Sequence, residues 1–156
     1  DRLFLGTAAD ARNRELLAAS GITHVLNATA ELPCYHEDAF AYFRLPIKDP
    51  DEAFASWLPQ ACDFMDLARE RGSVLVHCHG AVSRSPAVVL AYMLHQGQTL
   101  PAAVQHLCVI LPTRPNDAFL ATLAARCQSA PYAPSEIAGF GRMLMQPDSS
   151  QPPMTT

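Results

Sequence analysis

The sequence predicts an α/β fold in which one mainly parallel central sheet is flanked by helices on both faces. Short apolar runs rich in β-branched residues alternate with longer segments of helical spacing, as in strands joined by crossover helices. One run, Ser73–His77, is apolar on both faces, which is typical of a strand at the centre of a parallel sheet. With 156 residues, 49% of them hydrophobic, the chain is long enough to bury one sizeable core.

The first half of the chain is expected to contribute three strands, at residues 3–5, 22–27 and 42–47. Asn13 is suited to cap a helix that runs through Ser20 and is closed by Gly21. A longer helix is predicted at residues 55–69, because apolar residues occur there at positions 58, 61, 62, 65 and 68.

The second half is expected to contain a central strand at 73–77 followed by a helix at 86–96. Ser85 is suited to cap that helix, Pro86 fits its first turn, and Gly97 ends it. Thr99 is predicted to cap a helix reaching residue 111, and Asn116 a helix reaching residue 127.

Residues 1–128 are therefore predicted to form one domain, and residues 129–156 a tail rich in proline and serine. Prolines at 131, 134, 147, 152 and 153 are unfavourable for a continuous core element. Apolar residues between 137 and 145 are expected to allow part of this tail to pack on the domain.

The segment between the central strand and the next helix carries the strongest functional signal. His77 and Cys78 end the strand, and Arg84 stands six residues after the cysteine. A strand, a tight loop and a helix N-terminus together direct several backbone N–H groups at one point, where the helix dipole adds positive charge. The residues expected to surround a bound phosphate are His79, Gly80, Ala81, Val82, Ser83 and Arg84.

The residue types in this segment predict phosphate-ester hydrolysis through a cysteinyl-phosphate. A cysteine beside a helix N-terminus and a cation favours the thiolate form, so Cys78 is the predicted nucleophile. Arg84 offers a planar fork of donors to two phosphate oxygens. Ser85 is close enough in sequence for its hydroxyl to reach Cys78, and His77 is interpreted as a residue that supports the loop.

The stretch from Val76 through Ala87 to Leu94 resembles the dual-specificity branch of the cysteine-dependent protein tyrosine phosphatases. The resemblance extends from Leu3 to about Cys127, and fits either the atypical, catalytic-domain-only type or the catalytic domain of a MAP kinase phosphatase. It implies a protein phosphatase acting on phosphotyrosine, phosphoserine and phosphothreonine. It also implies that Asp49 is the general acid, while Asp51, two residues further on, is the alternative.

The loop departs from the family pattern at Ala81, where the family has glycine. Either Ala81 itself takes a conformation that favours glycine, or the loop is shifted so that Gly80 takes it. The departure leaves open a second hypothesis, that the chain is a weakly active or inactive phosphate-binding scaffold. A third hypothesis is that the chain is a phosphatase that acts on a non-protein phosphate.

The composition of the chain excludes several classes of binding partner and cofactor. A net charge of -4 without a Lys/Arg cluster argues against nucleic acid, and no apolar run is long enough to span a membrane. Five cysteines without CxxC spacing indicate neither a disulfide framework nor a zinc site, so no metal or other cofactor is expected. We therefore expect a phosphorylated protein as substrate and a reducing location, the cytoplasm and/or the nucleus.

Overall fold

The computed structural model describes residues 2–127 and 133–145. Four strands in this part of the chain form one sheet, and every neighbouring pair is parallel. They are β1 (Leu3–Gly6), β2 (Ile22–Asn27), β3 (Ala41–Arg44) and β4 (Ser73–His77), and their spatial order is β1-β4-β2-β3. The predicted parallel sheet, with Ser73–His77 inside it, is confirmed.

The helices cover both faces of the sheet, as predicted. The described residues contain α1 (Ala8–Arg12), α2 (Arg14–Ala19), α3 (Phe54–Arg71), α4 (Arg84–His95), α5 (Leu100–Ile110), α6 (Asp117–Arg126) and α7 (Pro134–Met145). The short helices α1 and α2 lie on one face around a small apolar cluster, and the longer helices enclose the main core on the other.

Strand β4 supplies side chains to both clusters, which explains why its sequence shows no polar face. Val74 and Val76 point into the main core, and Leu75 packs in the small cluster. All three are almost fully buried, so the strand is removed from water on both sides.

Three of the predicted helix caps are confirmed. Asn13, Thr99 and Asn116 accept hydrogen bonds from the first-turn N–H groups of α2, α5 and α6, respectively. Each bond satisfies a donor that the helix itself leaves unpaired. Gly21 and Gly97 have φ of +69° and +86° just after α2 and α4, so both sites favour glycine.

The predicted cap of α4 is wrong. The helix begins at Arg84, its cap is Ser83, and Ser85 lies inside the first turn. The Ser83 hydroxyl accepts a hydrogen bond from the Asn116 N–H (2.9 Å) and makes no capping bond of its own. The hydroxyl of the cap residue is therefore bound by a distant segment and not by the first turn of its own helix.

One strand boundary and one additional helix differ from the prediction in the first half of the chain. The strand predicted at 42–47 ends at Arg44, since the next residues form a tight turn in which Ile47 N–H donates to the Leu45 carbonyl. Helix α1 was not predicted, although Thr7 and Asp10 form a capping box at its start.

Part of the predicted tail is folded onto the domain. Helix α7 packs against α5 and α6, and its Phe140 and Leu144 belong to the main core. The prolines at 131, 147, 152 and 153 lie outside the described residues. The domain boundary at residue 128 stays a prediction.

Candidate active site

The loop predicted to hold phosphate lies at the carboxyl end of β4, between its neighbours β1 and β2. This edge of a parallel sheet is where open α/β folds bind ligands. The Ala28 N–H donates to the His77 carbonyl (2.8 Å), and the Ala8 N–H donates to the His79 carbonyl (2.9 Å). The segments that follow both neighbouring strands thus anchor the start of the loop.

The loop and the first turn of α4 leave their backbone donors free. The N–H groups of residues 79–83 donate to no acceptor in the described part of the chain. The Ser83 side chain makes no capping bond to the first turn of α4, and its hydroxyl accepts a hydrogen bond from the Asn116 N–H instead. Unpaired amides at a helix N-terminus form a site for an anion.

The structure brings Cys78 and Ser85 together. The Ser85 hydroxyl donates to Cys78 Sγ at 3.1 Å, and both residues are buried. A hydrogen bond to sulfur stabilises a thiolate more than a thiol, because it favours the charged form. Ser85 is therefore placed to assist Cys78 chemically, although it is not the helix cap.

Arg84 uses one nitrogen of its guanidinium to bind a carboxylate and leaves the other two without a hydrogen bond to any described residue. Its Nη1 binds both carboxylate oxygens of Glu31, at 2.7 and 2.9 Å, and lies 3.5 Å from the Ile47 carbonyl. Its Nε and Nη2 make no hydrogen bond to any described residue. That open edge has the geometry for a bidentate contact with two phosphate oxygens.

Glu31 is a site residue that the sequence did not reveal. Partial desolvation alone would raise the pKa of Glu31, but the hydrogen bond and charge of Arg84, with backbone hydrogen bonds, bring it below its ordinary value. Glu31 therefore stays ionised near neutrality. No local motif marks it, since it lies 53 residues before Arg84.

The loop that carries Glu31 is held from two sides. Arg44 donates to the carbonyls of Ala30 (2.9 Å) and Leu32 (2.6 Å). The buried Asn27 side chain also donates to the Leu32 carbonyl, at 2.9 Å. Glu31 thus has a defined position from which to orient Arg84.

Ala81 takes the left-handed conformation itself, with φ of 55°. Gly80 does not have a φ in that range, so the first of the two predicted alternatives holds and the loop is not shifted. The Ala81 side chain is only 1% exposed. A non-glycine residue in this conformation costs about 1–2 kcal/mol, which the surrounding contacts must offset.

His77 and His79 have different surroundings. His77 is fully buried, its Nδ1 lies 3.2 Å from the Cys78 carbonyl, and burial lowers its pKa, so it is neutral at pH 7. Its Nε2 contacts no hydrogen-bond partner among the described residues. The His79 side chain is exposed beside the loop, as is the Val82 side chain at 51%.

The two candidate general acids, Asp49 and Asp51, differ in the hydrogen bonds that their carboxylate oxygens accept. Asp51 accepts hydrogen bonds from the Lys48 N–H on one oxygen and the Ala53 N–H on the other, both at 2.8 Å. Asp49 is exposed and lines a cleft of about 390 Å³ together with Val82 and Ser83 of the loop. The carboxyl of Asp49 has no hydrogen-bond partner among the described residues.

No group of three His, Cys, Asp or Glu side chains in the described ranges is arranged to hold a metal ion. Among the helices that the structure describes, none is both long and apolar enough to cross a membrane.

The chain belongs to the dual-specificity phosphatase family. Residues 3–128 match the family model described as "Dual specificity phosphatase, catalytic domain". Dual specificity protein phosphatase 1 of Arabidopsis thaliana is 36% identical over 125 residues, which are 78% of this chain and 63% of that protein. Human dual specificity protein phosphatase 4 is 38% identical over 94 residues, 59% of this chain but only 24% of that protein.

Solved structures agree with the family assignment. The crystal structure of human DUSP28 is 36% identical, covers 78% of this chain and 88% of its own, and superposes with a TM-score of 0.73. DUSP15, at 24% identity, shares the fold with a TM-score of 0.75 over 92% of this chain and 90% of its own. The predicted family and fold class are therefore confirmed.

Proposed function

We propose that this chain hydrolyses phosphate monoesters on tyrosine, and on serine and threonine, of phosphorylated proteins. The observation that carries the proposal is the arrangement around Cys78. The Cys78 sulfur accepts a hydrogen bond from the Ser85 hydroxyl. Cys78 is followed by a loop whose backbone amides are unpaired among the described residues and which ends at a helix N-terminus. Beside it, Arg84 keeps one edge of its guanidinium open.

In the first step, the loop amides and Arg84 bind the three non-bridging phosphate oxygens. The Cys78 thiolate attacks phosphorus, an S–P bond forms, and the P–O bond to the substrate breaks. The leaving oxygen takes a proton from the carboxyl of Asp49, which becomes a carboxylate. The Arg84 guanidinium stabilises the negative charge on the transferring phosphoryl group.

In the second step, the Asp49 carboxylate accepts a proton from a water molecule whose oxygen attacks phosphorus. The P–O bond to water forms, the S–P bond breaks, and its electron pair returns to Cys78 as a thiolate. The Ser85 hydroxyl supports that thiolate through its 3.1 Å hydrogen bond. Inorganic phosphate leaves, and Asp49 is protonated again for the next cycle.

Asp49 is a better candidate for the acid than Asp51. A general acid must exchange its proton with the substrate, so its oxygens need access to the site. Both oxygens of Asp51 are bound by backbone N–H groups, which hold the loop that begins α3. Asp49, by contrast, shares an open cleft with residues of the phosphate loop.

The surroundings of the loop support a protein substrate of more than one phosphoresidue type. His79, Gly80 and Val82 are exposed around Cys78, so the rim of the site is open to both short and long phosphorylated side chains. Because the mechanism needs a cysteine thiolate, we propose a reducing location, the cytoplasm and/or the nucleus.

The proposal is tested by steady-state hydrolysis of one peptide carrying phosphotyrosine, phosphoserine or phosphothreonine at the same position. We expect turnover of all three, and a cysteinyl-phosphate on Cys78 in rapidly quenched mixtures analysed by mass spectrometry. Turnover of sugar or nucleotide phosphates alone would overturn the choice of substrate. Vanadate binding without any turnover would indicate a phosphate-binding scaffold instead.

The acid is tested by a matched pair of variants, Asp49→Asn and Asp51→Asn, with aryl phosphates of graded leaving-group pKa. Asp49→Asn is expected to slow esters with poor leaving groups by about 10²–10⁴-fold and those with good leaving groups much less. Asp51→Asn is expected to alter stability but not this dependence. The reverse pattern would assign the acid to Asp51.

A further inference from the structure

Helix α7 is linked to the phosphate loop by a short series of hydrogen bonds through residues 113–116. We propose that α7 is a positioning element of the active site, and that it holds the phosphate loop in its strained conformation. The proposal rests on the function proposed above. It assigns a role to a helix that lies beyond residues 3–128, the range matched by the family model.

The link begins at the last turn of α7. The Leu144 carbonyl accepts a hydrogen bond from the Thr113 N–H at 3.0 Å. The next residue, Arg114, donates its N–H to the Val82 carbonyl at 2.7 Å. The Asn116 N–H then donates to the Ser83 hydroxyl at 2.9 Å. Two consecutive residues of the phosphate loop are therefore bound by a segment that α7 itself holds.

Helix α7 is anchored firmly enough to act in this way. The Leu144 side chain is fully buried in the main core, and Phe140 is 8% exposed. Gly141 faces α6, where an added methyl group would lie in ordinary van der Waals contact, 3.6 Å from Leu120 Cδ1. At its start, the Ala133 N–H donates to the Glu136 carboxylate at 2.7 Å.

Ala81 is the reason that the loop needs this support. A non-glycine residue with φ of 55° persists only where its neighbours prevent it from relaxing. On one side the His79 carbonyl is held by the Ala8 N–H. On the other, the residues directly after Ala81 are held by residues 114 and 116. If α7 loosens, Ala81 can relax, and the loop amides turn away from the phosphate.

The first test compares Leu144→Ala with Leu17→Ala in the full chain. Both remove a buried leucine side chain, but Leu17 lies in the small cluster on the other face of the sheet, away from residues 113–116. The free-energy cost of one left-handed residue corresponds to a rate ratio of about ten. We therefore expect kcat to fall roughly tenfold in Leu144→Ala. In Leu17→Ala, kcat is expected to stay within about twofold under conditions where both are folded.

The decisive test adds Ala81→Gly to both leucine variants, because glycine needs no support to hold a positive φ. When Ala81→Gly is present, Leu144→Ala is expected to lose most of its effect on kcat and on the affinity for orthovanadate. An equal loss with and without Ala81→Gly would show that α7 only stabilises the domain, and would overturn the proposal. Equal losses for Leu17→Ala and Leu144→Ala would do the same.

A readout that does not need turnover separates this inference from the proposed function. The rate of alkylation of Cys78 by iodoacetamide, resolved from the other cysteines by mass spectrometry, depends on the thiolate that the loop stabilises. If the wild type has no phosphatase activity, this rate must still fall in Leu144→Ala and recover with Ala81→Gly. Should Leu144→Ala fail to fold, Phe140→Leu perturbs the same helix more mildly, and the same recovery is required.

Discussion

Each end of α4 carries a group of polar side chains, and the two groups differ in whether their hydrogen-bonding atoms have partners. At the N-terminal end, Arg84 and Ser85 lie beside a loop whose backbone donors are unpaired among the described residues. At the C-terminal end, Tyr92 and His95 bind one carboxylate of α3, that of Asp66. One helix therefore joins an open polar site and a closed one.

The closed end uses both oxygens of Asp66. The Tyr92 hydroxyl donates to Oδ1 at 2.7 Å, and the Gln96 amide donates to the same atom at 2.9 Å. His95 Nε2 lies 2.9 Å from Oδ2, and Arg69 donates to the Tyr92 hydroxyl at 3.2 Å. These contacts tie α3 to α4, and both carboxylate oxygens are engaged.

The open end retains its donors. Arg84 uses only Nη1 for Glu31, the loop amides have no acceptor among the described residues, and Ala81 is strained. Such unused donors and stored strain cost stability and are expected where a ligand binds. Unpaired donors thus distinguish the N-terminal end of α4, where we propose that phosphate binds, from the C-terminal end.

The largest expected effect is that of Cys78→Ser. We expect turnover of an aryl phosphate to vanish, since a serine hydroxyl is a far weaker nucleophile here than a thiolate. Affinity for inorganic phosphate is expected to persist, because the loop amides and Arg84 remain. The measurement is steady-state hydrolysis beside calorimetric titration with phosphate. Residual turnover at the wild-type rate would remove Cys78 from the mechanism.

Charge-conserving substitutions at the two ends of α4 are expected to diverge. Arg84→Lys removes a bidentate fork from the transition state and should lower kcat/KM by about 10²–10³-fold. Arg69→Lys, at the closed end, should change kcat/KM less than about threefold, because Arg69 donates to the Tyr92 hydroxyl near the C-terminal end of α4. Both are measured with the same aryl phosphate. Similar kinetic losses at the two sites would show that the two ends of α4 do not differ in their contribution to activity.

Asp66→Asn, unlike Arg84→Lys, is expected to lower the stability of the domain without lowering kcat. Loss of the carboxylate weakens its hydrogen bonds with Tyr92 and His95, and because Asp66 is partly exposed we expect the free energy of unfolding in urea to fall by about 0.5–1 kcal/mol at pH 7. A kcat reduced tenfold in fully folded protein would show that the closed end reaches the active site.

The pH dependence of that stability difference has a defined sign. Desolvation alone would raise the pKa of Asp66, but hydrogen bonds from Tyr92, His95 and Gln96 bring it below its ordinary value. The contribution of the carboxylate is therefore present above its unfolded-state pKa and is lost as the pH falls through the folded-state value. Urea unfolding between pH 7 and pH 3 should show wild type and Asp66→Asn converging at the acid end.

The smallest effect is expected for Ala81→Gly. Glycine removes the strain of φ at 55°, but it also increases the entropy of the unfolded chain, so stability should rise by no more than about 1 kcal/mol. We expect kcat to rise up to a few fold, as the loop amides settle in their binding geometry. Urea unfolding and steady-state kinetics measure the two effects. A lower kcat would mean that Ala81 aids the loop.

The sequence alone was sufficient wherever a signal and its structural consequence lie close together in the chain. The apolar run at 73–77, the caps at Asn13, Thr99 and Asn116, and the spacing of Cys78 and Ser85 all fall within single elements or adjoining turns. The physical cause is short-ranged in each case: alternation of side chains, unpaired first-turn donors, or a loop leading into a helix.

Only the tertiary structure decided the features that join distant segments. Glu31 binds Arg84 across 53 positions, the Asn116 N–H donates to the hydroxyl of the cap residue Ser83, and α7 is linked to the loop through Thr113. The same holds for Ala81: the sequence left two alternatives for the loop, and the structure assigns the positive φ to Ala81, between two carbonyls that distant N–H groups bind. A hydrogen bond between remote residues leaves no local pattern, because its geometry exists only after the strands and helices have packed.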